Sequence, residues 1–155
     1  MYSNNESERT RTTGTDAPEF DRDALIQAAL DALPNAYAPY SHFTVAAACQ
    51  AASGRIYTGV NVENASYPAG ICAERNAIFH AAAEGERKLV AVAIVGGPEY
   101  VVESYCPPCG ICRQVMREFA DPKELIVILA KSVWDYREYT LENLLPESFG
   151  PDSLG

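Results

Sequence analysis

Apolar positions along the chain switch between two periods. From Asp21 to Leu33 they recur at Leu25, Ile26, Ala29, Leu30 and Leu33, one face of a helix, and Pro34-Asn35 ends the run. Phe43 to Ala51 and Arg55 to Val60 read as two strands joined at Ser53-Gly54, a hairpin turn. Asn61 to Gly70 is polar and contains a proline, which marks a loop. Cys72 to Glu84 is helical again and closes at Gly85. Leu89 to Val95 is almost unbroken apolar sequence, the pattern of a strand covered on both faces. Glu99 to Pro108 is loop, and Gly110 to Phe119 is a helix stopped by Asp121-Pro122. Leu125 to Ala130 is a further buried strand, and Thr140 to Leu145 a short helix before a Pro- and Gly-rich end. Strands alternating with helices after an opening hairpin predict an α/β chain, a three-layer α/β/α sandwich with a mixed sheet.

The first 19 residues break this pattern. They are rich in Ser, Thr, Glu and Asn, too polar to bury a core, and are expected to be a disordered tail before a single domain over 20–155. The tail lacks the apolar run of a secretory signal, and no stretch is long and apolar enough to span a bilayer. A cytoplasmic protein without membrane contacts is therefore expected. The formal net charge of −9 argues against a polynucleotide partner, whose phosphates call for a basic patch. It is compatible with a small uncharged ligand. Five cysteines, an odd number without an export signal, do not suggest a disulfide framework.

Three of those cysteines change the picture most. Cys72 opens one helix, and Pro108-Cys109-Gly110-Ile111-Cys112 opens another. If the strands before these helices are neighbours, the two helix starts meet at one sheet edge, where ligands of open α/β folds collect. Cys72, Cys109 and Cys112 then make three ligands for Zn2+ with a fourth tetrahedral position open, the catalytic arrangement. Helix N-termini favour the thiolates that zinc needs. Three thiolates over-neutralise the metal, and Arg75, three residues beyond Cys72, is placed to donate hydrogen bonds to them. Glu74, two residues from a ligand, is placed to move protons without binding the metal. Cys-x-Glu followed by Pro-Cys-x-x-Cys is a zinc-deaminase pattern in its three-cysteine form.

The stretches PYSHFTVAAA (39–48), GVNVENASYPAGICAERNAI (59–78), PPCGICRQVMREF (107–119) and LLPESFGP (144–151) resemble the small homotetrameric cytidine deaminases. The resemblance implies a mixed sheet of about five strands, Cys72, Cys109 and Cys112 on zinc, and Glu74 as the proton shuttle. It implies hydrolysis of cytidine and 2′-deoxycytidine to the uridines, with release of ammonia. Asn61 and Glu63 match the pair that holds the ribose hydroxyls. Phe43 and Tyr67 match residues lining the nucleoside pocket. Phe149 resembles a C-terminal aromatic that reaches a neighbouring subunit's site, which implies a homotetramer with shared active sites.

The chain departs from the family pattern at Ala46, in place of the usual glycine after Phe-x-Val, and at Pro107, before the PC motif. Cys106 extends the cysteine run without a fourth cysteine followed by proline, so an iron–sulfur string is not indicated. Cys49 alternates with Val45 and Ala47 and reads as a small core residue; His42 and His80 read as structural. Two other functions compete. One is a deaminase of a cytosine-containing antibiotic of the blasticidin S type. The other is a structural zinc module, which requires a fourth ligand and has only Cys106 nearby.

Overall fold

The computed structural model describes residues 20–155; the tail expected over 1–19 lies outside the described residues. Helix α1 (Arg22–Ala32) starts at Asp21, whose carboxylate accepts the Ala24 N–H at 3.1 Å. A single 3-10 turn, Leu33–Asn35, follows where Pro34 removes the backbone donor that a longer helix needs. Strands β1 (Phe43–Ala51) and β2 (Ile56–Val60) form the expected hairpin. Gly54 supplies its left-handed residue at φ 91°. Helix α2 spans Ala73–Ala83, β3 Leu89–Pro98, α3 Gly110–Glu118 and β4 Ile126–Ser132. The chain closes with β5 (Asp135–Thr140), the single turn α4 (Leu141–Leu144) and a last 3-10 turn, Pro151–Leu154.

The five strands lie in the order β2-β1-β3-β4-β5. Only β3 and β4, joined through α3, run parallel; the other pairs are antiparallel. The mixed sheet and the three layers follow the sequence pattern. β5 does not: Tyr136, Arg137, Glu138 and Tyr139 carry no apolar alternation, because this is an edge strand that buries little of either face.

The alternation of β1 divides the core. Ala47, Cys49 and Ala51 point with Val92 and Ile94 of β3 toward α2 and α3. Ala46 and Ala48 point with Ala91, Ala93 and Val95 toward α1. All three central alanines are fully buried, so the sheet offers little side-chain height and the helices sit close to it. The approach is closest at Gly59 in β2. A Cβ there would stand 2.3 Å from the Ala77 nitrogen and 2.6 Å from the Ala73 oxygen, both backbone atoms of α2. Asn76 adds a hydrogen bond from Nδ2 to the Val60 carbonyl at 2.8 Å. The first turn of α2 is thereby fixed on the sheet.

Candidate active site

Cys72 is the N-cap of α2 and Cys109 the N-cap of α3. The two thiols meet with Sγ atoms 3.8 Å apart, and all three sulfurs of Cys72, Cys109 and Cys112 lie within 4.8 Å of one another. The strands that precede these helices, β2 and β3, are not neighbours, because β1 lies between them. The two helix starts meet instead because α2 and α3 pack on the same face of the sheet. Val62 makes a bridge with Ile71 and another with Tyr37, folding the first loop back on itself.

The donor set suits zinc. A tetrahedral ion with Zn–S bonds of about 2.3 Å separates its sulfurs by about 3.8 Å, the distance between Cys72 and Cys109. Among the described residues no fourth protein ligand joins the cluster, and Cys106 is outside it. The closed structural site therefore lacks its required ligand, and the open catalytic arrangement remains. Cys106 stays a neutral thiol: burial first, then the charges of Glu74 and Cys72, push it up to about 11.

Arg75 touches the cluster. Its Nη2 donates to Cys72 Sγ at 3.4 Å. The Cys72 thiol is lowered to about 5 by hydrogen bonding with Cys112, then Arg75 and Cys109, against the penalty of burial. Cys112 moves up, because it hydrogen-bonds the Cys72 thiolate and is buried. Arg75 is itself raised, chiefly by its bond to Cys72.

Glu74 is 4 % exposed and sits in the first turn of α2. Burial raises its carboxyl above the usual range, and the nearby Cys72 adds to the effect, while a hydrogen bond with Cys112 opposes it. A carboxyl that keeps its proton more readily than usual, beside thiols positioned to hold a metal ion, is suited to both accept and return protons.

These groups line a cavity of about 600 Å³. Cys72, Glu74, Arg75 and Cys109 line it together with Asn61, Glu63 and Tyr67, while Cys112 is fully buried. Asn61 is already engaged with β1. Its Oδ1 accepts the Val45 N–H at 2.9 Å and its Nδ2 donates to the Phe43 carbonyl at 2.8 Å. Glu63 Oε1 accepts the backbone N–H groups of Tyr40 and Ser41, both at 3.0 Å. Bonds from Ser41, then Tyr40, hold its carboxyl below the usual range against some desolvation. Tyr67 is 77 % exposed on a 3-10 turn and meets Tyr40 edge to face, with ring centroids 6.0 Å apart.

Phe43 and Phe149 stand apart from the lining of this cavity. Phe43, at the first position of β1, is 41 % exposed, so it is not the core residue its strand position alone suggests. Phe149 is 60 % exposed, and its carbonyl accepts from Gln114 of α3 at 2.9 Å. The two histidines are peripheral: His42 faces Glu99 at 3.5 Å, and His80 lies 3.3 Å from the Thr58 carbonyl. Tyr40, Ser41, Val45 and Ile71 also line the cavity but were not singled out by sequence. The PYSHF segment was the available signal for the first two. Their contact with Glu63 spans 22 or 23 residues and leaves no local pattern.

The family model for the cytidine and deoxycytidylate deaminase zinc-binding region matches residues 20–129. A cytidine deaminase of Halalkalibacterium halodurans is 43 % identical over 135 residues, covering 87 % of this chain and 98 % of that protein. One from Sporosarcina psychrophila is 41 % identical over 135 residues, with 87 % and 96 % covered. The crystal structure of cytidine deaminase from Burkholderia pseudomallei superposes with a TM-score of 0.73 at 45 % identity, covering 81 % of this chain and 97 % of that one. The sequence motifs, the three-thiol cluster and the sheet order agree with these likenesses, and the chain belongs to the cytidine and deoxycytidylate deaminase zinc-binding family.

Proposed function

We propose that the protein catalyses zinc-dependent hydrolytic deamination of cytidine and 2′-deoxycytidine to uridine and 2′-deoxyuridine, releasing ammonia. The observation that carries this reading is the buried Glu74 carboxyl lining the same cavity as Cys72 and Cys109, two of the three convergent thiols. Zinc held by Cys72, Cys109 and Cys112 supplies the Lewis acidity that activates a water for attack at C4 of the pyrimidine. Glu74 would take one proton from that water and deliver it to N3 of the ring, then take the second from the hydroxyl now on C4 and pass it to the amine, so that ammonia leaves as the C4 carbonyl forms. Its raised affinity for protons suits the delivery half of this cycle. Arg75 draws charge from the Cys72 thiolate through its hydrogen bond.

Asn61 and Glu63 hold the sugar. A carboxylate offers about four lone-pair positions and a side-chain amide about four hydrogen-bonding sites. The backbone bonds they already make leave capacity for hydroxyls and fix both groups in advance. Tyr67 covers the nucleoside from the cavity rim; Phe43 stands outside that lining and borders it through its carbonyl bond with Asn61, so its role is to pack on the nucleoside from beyond the rim. Phe149, outside the cavity of its own chain, serves a neighbouring copy in a homotetramer. The lining carries the Glu63 and Glu74 carboxylates, and its cation, Arg75, is engaged with Cys72. Such a site suits an uncharged nucleoside rather than a phosphate or an oligonucleotide. Residues 20–155 act as one catalytic domain, and salvage of free nucleosides places the protein in the cytoplasm; no helix among the described residues is long and apolar enough to cross a membrane.

The test is to follow ammonia release from cytidine, deoxycytidine, cytosine, CMP, blasticidin S and a single-stranded oligonucleotide, with Glu74→Gln and zinc content measured in parallel. Nucleoside turnover in the parent is expected, with almost none in Glu74→Gln and zinc retained. Full activity in Glu74→Gln would falsify the proton-shuttle role. Turnover of blasticidin S alone would move the substrate to the antibiotic.

A further inference from the structure

We infer that Arg113 is a positioning residue for Cys109, fixing the peptide on either side of that thiol so that it is ready for the metal. The three thiols are not equally held. Cys112 is fully buried in α3, and Cys72 leads into a first turn buried at Ala73 and Glu74. Cys109 is exposed and follows a loop without helix or strand; like Cys72, it gains no side-chain cap bond as N-cap. Packing therefore does least for Cys109, and polar contacts must set its direction.

Residue 113 supplies them twice. The Arg113 side chain donates from Nε to the Pro108 carbonyl at 2.9 Å, fixing the peptide plane before Cys109. Its backbone N–H donates to the Cys109 carbonyl at 3.1 Å, fixing the plane after it. With both planes held, the φ and ψ of Cys109 are set at −67° and 165°, and only the side-chain torsion is left to the thiol. Pro107 and Pro108 further restrict the approach, since each ring locks its own φ. The guanidinium is anchored at its far side: Nη1 donates to the Leu144 carbonyl at 2.7 Å, at the end of α4. A rigid fork that spans two carbonyls is a task for arginine; a lysine ammonium on its flexible stem does not hold both in one plane. The metal-binding turn is in this way braced against the C-terminal segment.

The inference rests on the zinc site of the proposed function but not on the reaction, so metal release tests it. Zinc-loaded full-length parent, Arg113→Met, Arg113→Lys and Arg117→Met are mixed with an excess of chromophoric chelator, and zinc release is timed beside thermal melts of the metal-stripped proteins. Arg117, at the other end of α3, binds Ser148 and Asp152 rather than Pro108, and its variant reports general loosening of the C-terminal segment. Partners that orient metal ligands change affinity by about 10- to 100-fold when removed. Arg113→Met is expected to release zinc faster by that factor, Arg113→Lys to fall between it and the parent, and Arg117→Met to match the parent. Release from Arg113→Met no faster than from Arg117→Met overturns the inference. If Arg113→Met does not fold, Arg113→Lys decides: faster release than the parent supports it, and release at the parent rate overturns it. Deamination by all four proteins, or by none, leaves this outcome unchanged.

Discussion

The contact between Gly59 and α2 makes a sharp prediction. In Gly59→Ala the new methyl would lie 2.3 Å from the Ala77 nitrogen, 2.6 Å from the Ala73 oxygen and 2.8 Å from the Asn76 carbonyl carbon. Ordinary contact begins near 3.4 Å, so helix and strand must separate by about 1 Å. All three obstacles are backbone, and no side chain can swing aside. Overpacking of this kind typically costs about 1–3 kcal/mol, and the upper half of that range is expected here. At about 2–4 °C per kcal/mol for a chain of this size, the melting temperature should fall by about 4–12 °C. The damage should also reach the chemistry, because α2 carries Cys72, Glu74 and Arg75 at its start while Cys109 and Cys112 sit on α3. A misplacement of about 1 Å can lower turnover by about 100-fold. The assay pairs a circular-dichroism melt with nucleoside deamination at saturating zinc. Gly54→Ala is the control: its φ of 91° strains an alanine, but nothing lies within 4 Å, so stability should drop slightly with activity intact. A Gly59→Ala protein that melts early yet retains full turnover would refute the idea that this contact sets the geometry of the site.

Other outcomes follow from the same geometry. Arg75→Gln removes the donor to Cys72, so in metal-stripped protein the pH midpoint for alkylation of Cys72 should move up from about 5; an unchanged midpoint would remove Arg75 from charge balance. Glu63 has its carboxyl held below the usual 4.5, so its contribution to stability is present above that pH and is lost as pH falls through the lower folded value. Melts of parent and Glu63→Gln should therefore differ above about pH 4.5 and converge in stronger acid, with parallel curves counting against the Tyr40–Ser41 contact. Phe149→Ala should raise KM for cytidine, and mixed oligomers with Glu74→Gln should recover activity. Failure of that complementation would argue against sites shared between copies.

Much of this was legible because the signals were local. The helices of Cys72 and Cys109 could be placed from periodicity and breakers, and Cys-x-Glu with Pro-Cys-x-x-Cys identified the chemistry before any contact was visible. The expected reason for their meeting was different from the actual one. Neighbouring strands were the condition, yet β1 separates β2 from β3, and the helices meet because α2 and α3 pack on the same face of the sheet. Strand order is a non-local property that hydrophobic period does not encode. The edge strand β5 escaped notice because Asp135–Thr140 buries too little to need apolar alternation. Asn61 was read for its ligand, but its first partners are the backbones of Phe43 and Val45 across the hairpin. Arg113 stood inside a recognised motif, and its duty is visible only where two carbonyls distant in sequence meet its guanidinium.

The position of β1 between β2 and β3 also bears on how the protein matures. The hairpin unit with α2 brings one thiol, and the β3–α3–β4 unit brings the other two. Cys72 lies 37 residues before Cys109, so neither unit alone can complete the three-sulfur cradle. Only after β1 has docked on β3 along its register, from Phe43 opposite Pro98 to Ala51 opposite Leu89, are all three sulfurs within reach of one ion. The complete cradle therefore depends on long-range strand pairing, the kind of contact that forms slowly in folding. Metal content then reports completion of the fold: a chain arrested before the central pairing keeps at most the paired sulfurs of α3, and tight zinc retention marks a finished molecule.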